Sequence, residues 1–166
     1  MPHGFDRWMY AGGRPNRLAR FLNGIWRRLA SAGVTPGLLS TLEVRGRRSG
    51  RMRSFPVVVA DHDGERYLVA MLGESSNWAK NVRAAGGAAV LIHRRREPVH
   101  LEEVDPAERA AVLRRYVEVA PGGRAHIPVE PGEELAAFEQ VAPRYPVFRI
   151  EQRPGSDTRA TTNPAS

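Results

Sequence analysis

Between residues 15 and 32 the apolar side chains Leu18, Phe21, Leu22, Ile25, Trp26 and Leu29 recur at i, i+3, i+4 and i+7. Arg17, Arg20, Arg27 and Arg28 fall largely off that stripe. The spacing predicts an amphipathic helix, with Gly33 placed to cap its C-terminus. Residues 38–44 then read as a strand, 46–52 as a polar loop and 54–60 as a second strand. Asp61-His62-Asp63-Gly64 separates that strand from a third at 66–71, and Asp-Gly between apolar runs is a hairpin signal. A short helix is predicted over 77–85, with Asn77 as its N-cap and Gly86-Gly87 as its stop.

Two more strands, 88–94 and 98–104, are joined by a tight basic turn. Asp105-Pro106-Ala107-Glu108 supplies an N-cap acid, proline at the first helical position and glutamate at the third. The helix it opens runs to about Val119, before Pro121-Gly122-Gly123. A further helix over 133–141 and a last strand over 145–150 complete the pattern. Six hairpin-linked strands with helices between them predict a mainly β, α+β fold: an antiparallel barrel with peripheral helices. Residues 1–13 read as an N-terminal extension, 14–151 as one domain and 152–166 as a disordered tail rich in Pro, Gly, Ser, Thr and Asn.

Composition narrows the chemistry. In 166 residues there is no cysteine, which excludes disulfides, thiolate metal sites and cysteine nucleophiles. No apolar run approaches the roughly 18–20 residues of a membrane span, and Met1 to Asp6 lacks a secretory pattern, so a cytoplasmic protein is expected. Net charge is +7, and in residues 1–53 eleven arginines face two acids, Asp6 and Glu43, a surplus of +9. The remainder carries −2, so the anionic partner is expected at the N-terminal third.

That surplus peaks in Gly46-Arg47-Arg48-Ser49-Gly50-Arg51-Met52-Arg53. Glycines let backbone N–H groups turn toward an anion, and arginine forks grip phosphate with two hydrogen bonds. The segment reads as a phosphate cradle or as a solvated hairpin loop; charge alone supports both. No Walker loop, Gly-x-Gly-x-x-Gly, Gly-x-Ser-x-Gly or His-Glu-x-x-His occurs. With the turn at Arg96-Glu97, His93 and His100 would face each other across a hairpin, a pair without a third metal ligand, so no metal is expected.

Gly46-Arg47-Arg48-Ser49-Gly50, with Arg53 and Pro56, resembles the Gly-Arg-(Lys/Arg)-Ser-Gly-x-x-Arg-x-x-Pro signature of the deazaflavin-dependent nitroreductase and F420H2-dependent quinone reductase family. Trp78-Ala79-Lys80-Asn81-Val82-Arg83-Ala84 is similar to that family's Trp-x-x-Asn-Leu-(Lys/Arg)-Ala segment. With the two motifs in this order, the resemblance covers roughly residues 15–150. The resemblance implies a split β-barrel of FMN-binding type that holds coenzyme F420, a deazaflavin with a phosphate and an oligoglutamate tail. It implies hydride transfer from the reduced cofactor to a quinone, nitro compound or similar small-molecule acceptor.

Carried over by position, Arg47, Arg48, Ser49, Gly50 and Arg53 would hold phosphate and tail, with Pro56 beside them. Val69, Ala70 and Met71 would lie along the ring, and Trp78 and Asn81 would shape the adjoining wall. Leu72 stands where the nitro-drug-activating relative has lysine, a contact that Lys80 or Arg83 would then replace. That relative also has tyrosines where this chain reads Ala120-Pro121-Gly122-Gly123-Arg124-Ala125-His126. Ser75, Ser76 and His126 are the candidate proton donors. FMN in place of F420 is the alternative cofactor. Nucleic-acid binding is the alternative function, not expected because no aromatics interleave with the arginines. Packing over the barrel is the expected use of the N-terminal helix, with peripheral membrane contact the alternative. Monomer and dimer are both left open.

Overall fold

The computed structural model describes residues 38–120 and 126–153, together with Arg27. The predicted helix over 15–32, the extension 1–13, residues 121–125 and the tail beyond Arg153 lie outside the described residues. Six strands form a closed barrel: β1 (Leu39–Arg45), β2 (Met52–His62), β3 (Glu65–Val69), β4 (Ala88–His93), β5 (Arg95–Glu103) and β6 (Val147–Gln152). Every pairing is antiparallel, in the order β1-β2-β3-β6-β5-β4, and β4 closes back on β1 with Leu42 opposite Leu91. Among the described residues they are accompanied by the helices α1 (Asn77–Ala84), α2 (Ala110–Val119) and α3 (Leu135–Val141).

The period-two alternation of these strands serves two cores. Leu42, Val57, Leu68, Leu91, Val99 and Phe148 come one from each strand and join a single cluster, which is the barrel interior. Ala79 and Val82 of α1 belong to the same cluster, so this helix enters a closed barrel at one end and plugs it. Trp78 stacks at a tilt on Phe148 there, with ring centroids 5.4 Å apart. The alternate residues Val58, Ala60, Val69 and Val147 face the other way. They pack against Leu113, Tyr116 and Val117 of α2 and Phe138 of α3, forming a second core on the outside of the wall.

Several boundaries differ from expectation for identifiable reasons. Strand β2 extends to His62 because it pairs with β1 up to Val58 and then with β3 from Val59, and a two-residue turn at Asp63-Gly64, both at positive φ, suffices. Strand β3 ends at Val69, not residue 71, since the main chain bends away into a short 3-10 turn, Gly73–Ser75. Asn77 is not the cap of α1: Ser76 occupies that position, without a side-chain cap bond. Asp105 caps as expected, accepting from Ala107 N at 3.0 Å, but it opens a 3-10 turn ahead of α2. The β4–β5 reversal centres on Arg94, at φ +62°, rather than on Arg96-Glu97. His93 therefore faces Arg95 and His100 faces Ala88, so the proposed histidine pair does not exist. Among the described residues no group of three His, Asp or Glu side chains could hold a metal. None of the described helices is long and apolar enough to cross a membrane.

Gly87 links α1 to β4 at φ +89°, with its carbonyl bonded by Leu101 N at 2.8 Å. A Cβ there would lie 2.5 Å from a His100 ring carbon and 2.8 Å from the Leu101 carbonyl oxygen. Gly132 has the same φ of +89° but open space around it. Gly132→Ala should therefore lose about 1 kcal/mol, the cost of the backbone conformation alone. Gly87→Ala should lose at least twice that, lowering Tm by roughly 5–10 °C. Equal losses in calorimetry would show that both the His100 ring and the Leu101 carbonyl give way freely.

Candidate functional site

The β1–β2 connection is a tight, glycine-dependent loop. Gly46 N donates to Arg51 O at 2.7 Å, Gly50 N to Gly46 O at 2.9 Å, and the Arg45 guanidinium to Gly50 O at 2.9 Å. A side chain on Gly46 would crowd Ser49 Oγ at 3.0 Å and Arg51 O at 3.1 Å. Ser49 Oγ accepts from Arg51 N at 3.3 Å, which leaves the hydroxyl proton free to donate. The Arg48 and Ser49 amides have no backbone acceptor among the described residues.

Helix α1 supports this loop through a polar face. Asn77 and Asn81 lie four residues apart and so share one side of the helix. Asn81 Oδ1 accepts from Arg47 N at 3.3 Å and from the Arg47 guanidinium at 2.8 Å. Asn77 Oδ1 accepts a longer bond from the same guanidinium at 3.5 Å. Loop and helix together enclose a cleft of about 350 Å³. Arg47, Arg48, Ser49 and Arg53 supply its polar wall, Phe55 and Pro56 its apolar one, and Asn77 and Asn81 its floor.

What marks this cleft is the clustering of arginines without carboxylate partners, since Arg94, Arg95, Arg114, Arg144 and Arg153 also lack one among the described residues but lie apart from the β1–β2 hairpin. Arg66, Arg83, Arg96, Arg109, Arg115 and Arg149 each pair with at least one carboxylate. Among the described residues, none of Arg45, Arg47, Arg48, Arg51 and Arg53 does. Glu43, the nearest acid along the strand, is engaged by Arg96 at 2.5 Å. Five uncompensated cations on one short hairpin make a strongly anion-seeking surface.

Six of the expected residues thus meet in the cleft: Arg47, Arg48, Ser49, Arg53, Pro56 and Asn81. Gly50 shapes the loop from outside the lining, at φ +68°. Val69, Ala70, Met71, Leu72 and Trp78 do not line it. Val69 and Ala70 are buried in the two different cores, Met71 is half-buried, and Leu72 is 55% exposed. Asn77, Ser54 and Phe55 belong to the cleft but were not anticipated; the four-residue spacing of Asn77 and Asn81 was the available signal.

Arg83, expected as one replacement for the missing lysine contact, lies outside the cleft lining and is engaged by carboxylates. Its guanidinium bridges Glu74 at 2.7 Å and Glu103, which raises its own pKa and holds the Glu74 carboxyl below the usual range. None of the candidate proton donors lines the cleft. Ser75 gives its proton to Leu72 O at 2.7 Å, Ser76 is buried, and His126 is exposed.

A closed six-stranded antiparallel barrel with a basic cleft at its first hairpin defines a protein of the split-barrel, FMN-binding-like class. The family model for F420H(2)-dependent quinone reductase matches residues 20–128, more than half of the chain, and the chain belongs to that family. It is accordingly an oxidoreductase that uses coenzyme F420 to reduce a small-molecule acceptor. Among curated proteins none matches it.

The chain is similar to several solved structures. The conserved hypothetical protein Rv2991 from Mycobacterium tuberculosis is 19% identical, over 75% of this chain and 79% of that one, with a TM-score of 0.50. Atu2129 from Agrobacterium tumefaciens, of unknown function, is 11% identical over 76% of this chain and 54% of that one, with a TM-score of 0.51. The F420-H2 dependent reductase FDR-A is 20% identical over 71% of this chain and 97% of that one, with a TM-score of 0.48.

The paired arginines leave a signature in acid. Arg66 donates twice to Glu97, at 2.6 and 3.2 Å, and holds its carboxyl below the usual range. A carboxyl depressed only in the folded state stabilises fully above its unfolded pKa of about 4.3, and that stabilisation is lost as pH falls through the folded value. Tm should therefore decline below about pH 5. Glu97→Gln should lower Tm at pH 7 and make the acid decline shallower in a pH series of thermal melts. A parallel decline in both proteins would remove Glu97 from the acid response.

Proposed function

We propose that the chain reduces quinones with F420H2 and that the Gly46–Arg53 cleft holds the cofactor by its phosphate and acidic tail. The observation that carries this reading is the clustering of charge: among the described residues, Arg45, Arg47, Arg48, Arg51 and Arg53 crowd one hairpin without a carboxylate partner, and three of them line the cleft. When bound, the reduced deazaflavin supplies a hydride. The chain's own residues do the holding. Arg48 and Arg53 offer guanidinium forks, Ser49 its hydroxyl, and the Arg48 and Ser49 amides two further donors, a donor set that fits a phosphate. Phe55 and Pro56 give the same cleft an apolar side.

The Val69-Ala70-Met71 stretch that the resemblance sets along the ring has two buried side chains. What it offers a ring is main chain and the Met71 thioether. Tyr116 and Tyr145, the tyrosines flanking residues 120–126, are buried, and their hydroxyls bond Met71 Sδ at 3.6 Å and His126 O at 2.5 Å. Neither is free to orient an acceptor, which favours a quinone over a substrate that needs a tyrosine handle.

Two measurements test the reading. Arg48→Ala with Arg53→Ala should weaken F420 binding at least tenfold and leave Tm nearly unchanged, since each charge-assisted bond is worth roughly 1.5–3 kcal/mol and both side chains are exposed. Unchanged affinity would remove the cleft from cofactor binding. With F420H2 as donor, menadione should be turned over with a kcat/KM at least tenfold above that of a bicyclic nitroimidazole. The reverse order would overturn the acceptor assignment while leaving the cofactor site intact.

A further inference from the structure

Six arginines of this protein pair with carboxylates, and Arg45 and Arg109 also bond main-chain carbonyls, but Arg47 is anchored differently. Arg47 is held by amides, Asn81 Oδ1 at 2.8 and 3.3 Å and Asn77 Oδ1 at 3.5 Å. We infer that Asn81 is a neutral brace: a positioning residue that sets the anion loop through Arg47 and leaves the loop's positive charge undiminished. The inference rests on the cleft being an anion site, as proposed above.

Asn81 is suited to bracing by its anchorage. It is 4% exposed, on a helix whose Ala79 and Val82 are each 1% exposed in the barrel interior. Two donors from one residue converge on its side-chain oxygen, which fixes the orientation of the amide and turns Oδ1 toward Arg47. One of those donors is the Arg47 backbone amide, so the contact holds main chain as well as side chain. A hairpin loop crowded with like charges resists compaction, and a tether formed before binding removes part of the ordering cost that a ligand would otherwise meet. An aspartate would supply the same oxygen but would place a negative charge against the anion. Asparagine gives the acceptor without the charge.

The test uses the intact protein and inorganic pyrophosphate as probe, with amide exchange of Arg47 measured in the absence of ligand. Asn81→Ala should speed Arg47 exchange at least tenfold and raise the pyrophosphate Kd about tenfold, equivalent to 1.4 kcal/mol. Asn81→Asp should keep Arg47 protected and yet raise Kd at least tenfold, which separates loop order from loop charge. In an Arg47→Ala background, Asn81→Ala should add nothing further to Kd, because its effect runs through Arg47. Unchanged exchange in Asn81→Ala, wild-type affinity in Asn81→Asp, or additive losses in the double variant would each overturn the brace. Wild-type protein that binds neither pyrophosphate nor F420 would overturn the cradle itself. The exchange measurement, made without ligand, tells that failure apart from a failure of the brace.

Discussion

Strand β1 is hydrogen-bonded on both edges, to β2 along Leu39–Arg45 and to β4 at Thr41–Glu43, and that closure is the constraint on which the rest depends. A closed sheet has no edge to protect and only one interior, so alternate residues must find cover outside. Helices α2 and α3 provide it. Helix α1 cannot join them, because its Ala79 and Val82 belong to the interior, and it can enter only at a barrel end. The loop leaving β1 arises at that end, which is why Arg47 meets Asn81 across 34 residues of sequence.

The same architecture sorts the charges. Strand and helix surfaces bring acids and arginines together across neighbouring elements: Arg66 with Glu97, Arg149 with Glu102, Arg83 with Glu74 and Glu103. Exposed pairs of this kind contribute little each, but they cancel the local field. The β1–β2 loop has no acid of its own, and the nearest one along β1, Glu43, pairs with Arg96 on β5. Five arginines on one hairpin thereby keep their charge uncancelled among the described residues.

The elements legible in the sequence are those fixed by local chemistry. Asp63-Gly64 announces a hairpin because a two-residue turn needs positive φ at both positions. The arginine loop is legible from its glycines and charge. What was misread depends on partners distant in the chain. Arg94 at positive φ has no local signature, so the β4–β5 register slipped and paired His93 with His100. Asn77 resembles a cap when seen along one helix, and only the fold reveals Arg47 as its partner. Arg83 looked available for a phosphate until Glu103, twenty residues away, came against it. The ring-contact stretch at Val69–Met71 was identified through family likeness, and nothing in its own residues marks it.

The cleft contains arginine, serine, asparagine, phenylalanine, proline and glycine, and no histidine, cysteine, aspartate or glutamate. Such a lining is unsuited to general acid–base catalysis, which needs a group whose pKa lies near the working pH. It is well suited to holding a reactant whose chemistry is its own. Hydride transfer depends on holding donor and acceptor carbons within about 3–3.5 Å, and a rigid barrel end with an ordered anion loop supplies position rather than protons. Any proton that completes reduction of the acceptor must then come from solvent or from a residue outside the cleft lining. A site of this kind puts its selectivity into geometry and charge, and that accounts for a lining in which the arginine nearest the helix is braced by an amide instead of neutralised by an acid.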